Sequence, residues 1–183
     1  MERSRPLSKD SVVMPELVGI IDTSVMCCWL EVPGRETAGS ADGKWNSSRA
    51  TNEIDRIVRS KGTLILPTSV VIETANHISQ SNHSRREKAK LLFDKIIGSI
   101  EGTQPWRQFA EADRLWNREW YKNAQMEFPD YAGRGIGLAD YSILKIARYF
   151  NDLGSEVQTL TSDAQLAAEV GHLPAKIISR RRR

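Results

Sequence analysis

Four carboxylates, Asp22, Glu73, Asp140 and Asp163, are the residues of this 183-residue chain whose type and placement could do chemistry together. Each stands where a predicted strand ends or a predicted helix begins, so a fold that aligns those junctions brings all four to one rim. Like charges held close repel and raise one another's pKa, so a cluster lacking basic partners calls for a cation. Oxygen-only ligands favour Mg²⁺ or Mn²⁺ over zinc, and no His or Cys set has the spacing of a zinc site. A divalent ion held there could polarise a phosphate, stabilise a leaving oxygen and lower the pKa of an attacking water. Taken singly, the acids have a plainer reading: Asp22 also suits the N-cap of the helix that follows it.

The run Leu17, Val18, Ile20, Ile21 predicts a buried parallel strand that stops at Asp22. In open α/β sheets the carboxyl ends of strands are where ligands bind. Residues 23–30 form a short helix in this reading, closed by Pro33-Gly34. Residues 35–48 are rich in Gly, Ser, Ala and Asp and read as a loop, with Trp45 its one large apolar group. A helix over 49–60 and a strand over 63–66 follow, closed by Pro67. The helix opened by Thr68 or Ser69 carries Glu73, with Val70, Val71, Thr74 and Ile78 on one face.

A polar break over 79–84 leads to a basic helix over about 85–100 that buries Leu91, Leu92, Ile96 and Ile97. Residues 102–128 hold Trp106, Trp116 and Trp120, read as an edge strand or loop near Trp106 and then a helix. Gly133, Gly135 and Gly137 punctuate the loop before the helix of Asp140, whose core stripe is Ile143, Ile146, Ala147 and Phe150. A strand over 156–160 runs into Thr161-Ser162-Asp163, the next helix stops at Gly171, and 175–178 read as a last edge strand. Strands alternating with helices predict an α/β fold, a three-layer α/β/α sandwich on a mainly parallel central sheet. The expected division is an N-terminal extension over 1–15, one domain over 16–179 and a basic tail over 180–183.

Hydrophobic residues at 40% and charged residues at 27% are ordinary for a globular protein and exclude a disordered chain. No apolar run is long enough for a bilayer, and the first sixteen residues lack the apolar core of a secretory signal, so a cytoplasmic protein with no membrane partner is expected. The neighbouring Cys27 and Cys28 are expected to stay reduced. The net charge of +3 names no partner by itself, although Arg180 to Arg183 suit either nucleic-acid phosphates or a solvated tail.

In their order the motifs resemble the PIN-domain ribonucleases. The matching pieces are Ile-Ile-Asp-Thr-Ser with Asp22, Leu-Pro-Thr-Ser-Val-Val-Ile-Glu-Thr with Glu73, Leu-Ala-Asp-Tyr-Ser-Ile-Leu-Lys-Ile-Ala with Asp140, and Thr-Ser-Asp with Asp163. The resemblance covers residues 17–178 and implies a PIN-like fold and a metal-dependent endoribonuclease. Its implied reaction is hydrolysis of phosphodiester bonds in single-stranded or structured RNA, leaving a 3′-hydroxyl and a 5′-phosphate. Asp22, Glu73, Asp140 and Asp163 would hold Mg²⁺ or Mn²⁺, Asp163 acting through water. Thr23, Ser24 and Thr161 would orient carboxylates or phosphate, or simply cap helices. Small free-standing members imply the toxin of a toxin–antitoxin pair, with an antitoxin partner and a homodimer.

Residues 35–48 and 106–128 look longer than compact members need. The alternative is a non-catalytic RNA- or protein-binding scaffold on the same fold, against which four intact acids argue. A phosphatase using Asp22 as nucleophile would want an acid where Ser24 stands. His77, one turn beyond Glu73, is a further candidate acid, base or supporting group. Arg85, Arg86, Lys88, Lys90, Lys122 and Arg134 could line an RNA path or merely face solvent.

Overall fold

β1 (Leu17–Ile21) is buried without alternation, with Val18, Ile20 and Ile21 all inside, because it lies in the interior of a parallel sheet covered by helices. The computed structural model describes residues 15–108 and 116–174. β2 (Thr63–Leu66) and β4 (Glu156–Leu160) flank β1, and β3 (Trp106–Gln108) pairs with the outer side of β2. The order is therefore β3-β2-β1-β4, and every pairing is parallel. β4 is only part-buried and ends buried at Leu160, which explains its alternating polar and apolar residues.

α1 (Thr23–Leu30) and α2 (Ser47–Arg59) connect β1 to β2, and α3 (Thr68–Gln80) and α4 (Arg85–Ile100) lie between β2 and β3. α5 (Arg118–Gly133) and α6 (Leu138–Asp152) precede β4, and α7 (Ala164–Gly171) follows it. The fold is thus α/β with an all-parallel sheet, consistent with helices layered on both faces. α2 packs closely on β1 at Gly19, where an added Cβ would lie 2.5 Å from Ile57 Cδ1 and oblige the end of that side chain to shift. Among the described residues no helix is long and apolar enough to cross a membrane.

The winding of the chain positions the site. From β1 it steps outward to β2 and β3, then returns past β1 to lay β4 on the other side, so its direction reverses between β1 and β4. A crevice opens at such a reversal, outside the carboxyl ends of the strands. Ile21 and Leu160 are register partners there, and Asp22 N–H donates to Leu160 O at 2.9 Å. Asp22 and Thr161 therefore leave the sheet side by side.

Several elements differ from expectation. α2 begins at Ser47 because Asn46 caps it, its side chain accepting from Arg49 N–H at 2.8 Å. The N-cap of α3 is Pro67, with Thr68 already helical; the Ser69 hydroxyl serves instead in a 2.8 Å hydrogen bond with Ser142 of α6. Ile97 is 49% exposed, since the buried stripe of α4 runs through Leu92 and Ile96. Residues 35–48 are ordered by an Ala38–Trp45 bridge and a short 3₁₀ turn. Trp106 lies on an edge strand, and Trp116 and Trp120 pack at 4.4 Å between ring centroids, Trp120 buried. The expected strand over 175–178, the N-terminal extension over 1–14 and the arginine tail lie outside the described residues.

Candidate active site

Asp22 lies 6% exposed at the end of β1 and caps α1. Its Oδ1 accepts from Thr23 N–H at 2.5 Å, and its Oδ2 accepts from the hydroxyls of Ser24 and Thr161, both at 2.7 Å. Asp22 is the helix cap its position suggests, whereas Thr23, Ser24 and Thr161 are not caps: their hydroxyls bind the carboxylates of Glu73 and Asp22. Thr161 Oγ1 in turn accepts from Asp163 N–H at 2.9 Å, and Ser24 Oγ accepts from Ser162 N–H at 3.2 Å. The ends of β1 and β4 are thereby laced together by short hydroxyl side chains.

Glu73 stands one turn into α3, and its Oε2 accepts from the Thr23 hydroxyl at 2.7 Å. Asp163 caps α7, its Oδ1 accepting from Gln165 N–H at 2.7 Å and Leu166 N–H at 3.0 Å. Asp140 sits in the first turn of α6. The Ser69–Ser142 bond ties that turn to the start of α3, fixing the approach of the two helices that bring Glu73 and Asp140. All four acids line one cavity of about 340 Å³ at the strand-end crevice.

Burial, and then the negative charges of Asp22, Asp163 and Glu73, push the Asp140 carboxyl up to about 6. Among the described residues none of the four acids is ion-paired with Lys or Arg. The donor set is all oxygen, which suits a hard divalent cation. As they stand, no three His, Cys, Asp or Glu side chains among the described residues are grouped closely enough to hold one ion. Asp22 turns toward Thr23, Ser24 and Thr161, Glu73 toward Thr23, and Asp163 toward the first turn of α7; among the described residues no side-chain donor reaches Glu73 Oε1, Asp163 Oδ2 or Asp140, which takes a backbone hydrogen bond at Gly137. Charge and donor chemistry suit a cation here, while the carboxylates as placed do not converge on one point.

Cys27 also lines the cavity, but burial pushes its thiol up to about 12, which keeps it protonated and a poor nucleophile near neutral pH. His77 lines the same cavity with Nδ1 buried and unpartnered; burial first, and the charge of Arg35 second, lower its pKa. Of the cations considered as an RNA path, Arg134 is bound to Glu169 at 2.6 Å and stacks over Tyr131. Arg85 and Arg86 border a separate apolar groove with Ile78, Leu92 and Phe93. The backbone N–H groups of Glu36 and Gly34, and after them the charges of His83 and Lys88, hold the Glu36 carboxyl below its usual value.

Two contributors carry no pattern in the sequence. Trp45 donates its indole N–H to Thr161 O at 2.9 Å, which fastens the 35–48 loop to the site, and Arg35 lines the cavity. A loop's path depends on tertiary anchors that periodicity does not record. The one legible hint is Pro33-Gly34, which forces a tight turn just before Arg35. No family model matches the chain, and neither a curated protein nor a solved structure does.

Proposed function

We propose that the chain is a Mg²⁺- or Mn²⁺-dependent endoribonuclease with a PIN-like fold, hydrolysing phosphodiester bonds of single-stranded or structured RNA. The observation that carries this reading is four carboxylates from four separate segments lining one crevice with no Lys or Arg ion pair among the described residues. Asp22, Glu73 and Asp140 are the residues that would hold the metal, with Asp163 contributing through water. When bound, the ion supplies charge stabilisation for the phosphoryl oxygens and a more acidic attacking water.

The chain's own part is positioning. Thr23 ties Asp22 to Glu73, because its backbone N–H is bound to one and its hydroxyl to the other. Ser24 and Thr161 hold the second oxygen of Asp22, so its orientation is set before any ligand arrives. Asp163 keeps one oxygen free of the cap it makes on α7 and can accept a hydrogen bond from water. A non-catalytic scaffold is the weaker reading, since burying Asp140 beside three other carboxylates, which together raise its pKa, serves no purpose without a cation. The toxin role, an antitoxin partner and a homodimer rest on the resemblance alone.

The experiment is incubation of end-labelled single-stranded RNA with purified protein in Mg²⁺, Mn²⁺ or chelator, beside Asp140→Asn. Metal-dependent cleavage leaving 5′-phosphate ends, lost in chelator and reduced at least about a hundredfold in the variant, is expected. Binding without cleavage would favour the scaffold, and 2′,3′-cyclic phosphate ends would sink the water-attack mechanism.

A further inference from the structure

An RNA strand is a polyanion, and a crevice walled by carboxylates repels it unless some part of the wall is cationic. Among the described residues lining this one, Arg35 is the sole Lys or Arg. Its backbone is fixed. Glu31 closes α1 in the left-handed conformation with φ of 53°, Val32 N–H donates to Cys27 O at 2.9 Å, and Arg35 N–H donates to Val32 O at 2.8 Å. Gly34 supplies the turn with φ of +80° and donates its N–H to Glu36 Oε1 at 3.0 Å, which turns that carboxylate back on the loop.

The Arg35 side chain, by contrast, makes no hydrogen bond or ion pair to any described residue, although carboxylates line the same cavity. A guanidinium recruited as a structural counter-ion would pair with them. It stands close enough to His77 to lower that residue's pKa, and the buried Nδ1 of His77 is unpartnered as well. Two open polar groups thus share the wall with the acids. A guanidinium offers a planar fork that matches two phosphate oxygens and stays charged at any working pH.

Resting on the nuclease reading above, we propose that Arg35 is the phosphate-positioning residue of the site, its guanidinium holding a backbone phosphate of the RNA strand that enters the carboxylate cavity. The acids then bind the metal and Arg35 binds the strand, two charges kept apart by the loop that carries Arg35. His77 lies alongside with its buried Nδ1 unpartnered.

The test is fluorescence anisotropy of a labelled single-stranded RNA on Asp140→Asn protein in chelator, with and without Arg35→Ala or Arg35→Lys, over a range of salt. Arg35→Ala is expected to weaken binding about tenfold and to make the slope of log K against log salt shallower by about 0.7, the value of one single-strand phosphate contact. Arg35→Lys should restore the slope but only part of the affinity, since an ammonium is a point charge. In metal-loaded protein with Asp140 intact, Arg35→Ala should raise KM about tenfold and change kcat by less than about threefold. Unchanged binding and slope in Arg35→Ala, beside chelator-sensitive cleavage by the unmodified chain, overturns this assignment and leaves the nuclease reading standing. Absence of both cleavage and RNA binding in the unmodified chain overturns both.

Discussion

The two sides of the carboxylate crevice are built on opposite principles. On the strand side, where β1 and β4 end, Asp22 receives a backbone N–H and two hydroxyls, and those hydroxyls are themselves bound to backbone donors of the β4 end. On the helix side, Asp140 is buried beside three other carboxylates, meets no side-chain donor among the described residues and only a backbone donor at Gly137, and its pKa rises to about 6. One side is satisfied by several hydrogen bonds, the other holds its charge with little compensation. The difference teaches which acids are scaffold as well as site: removing Asp22 dismantles the junction of two strands, whereas neutralising Asp140 relieves it.

The comparison breaks if Asp22→Ala leaves stability intact. Truncation strands the Thr161 and Ser24 hydroxyls and the Thr23 N–H, two of them in buried residues, and should cost about 3 kcal/mol of unfolding free energy in urea titration. Asp140→Asn should move the other way. A carboxyl raised from 3.8 to about 6 binds more protons folded than unfolded across that window, so the metal-free protein loses stability as pH rises through it. The asparagine variant escapes that loss. Measured in chelator, it should equal the unmodified chain near pH 4 and exceed it by about 1–2 kcal/mol above pH 7. A variant less stable at pH 7.5, or an advantage that does not vary with pH, would mean that Asp140 is not strained by its neighbours.

How much of this is legible in the sequence follows from the range of each interaction. The fold class is legible, because an interior parallel strand such as β1 must be apolar throughout, and α6 writes its buried stripe at helical spacing through Ile143, Ile146 and Ala147. The acids at the crevice follow from the same rule, since chain leaving a strand end or entering a helix at the switch point faces it. The network between them is not legible. Thr161 and Asp22 are 139 residues apart, and nothing local in either segment marks the bond. Ile97 misleads for a related reason: α4 has apolar residues on more of its surface than the core covers, so composition alone cannot select the buried stripe. The loop over 35–48 reads as featureless by composition, yet it supplies a wall of the site.

That loop offers the smallest and most local test, because it joins the satisfied side of the crevice to the wall bearing Arg35. Trp45 donates to Thr161 O, bridges Ala38 through two backbone hydrogen bonds at 3.1 and 2.7 Å, and lies 6% exposed with Arg49 stacked 4.4 Å from its ring. Arg49 also donates to Gly43 O at 2.6 Å, so loop and α2 hold each other. Trp45→Phe keeps an aromatic ring in place but removes the indole N–H, leaving a buried carbonyl without that donor. The expected loss is about 1 kcal/mol, or about 3 °C in thermal unfolding, with faster amide exchange at Ala38 and Trp45 and none of the pH dependence of Asp140→Asn. If the loop is held by its own turns rather than by the strand end, exchange at those amides will not change. The wall carrying Arg35 would then be independent of the β4 terminus that orients Asp22.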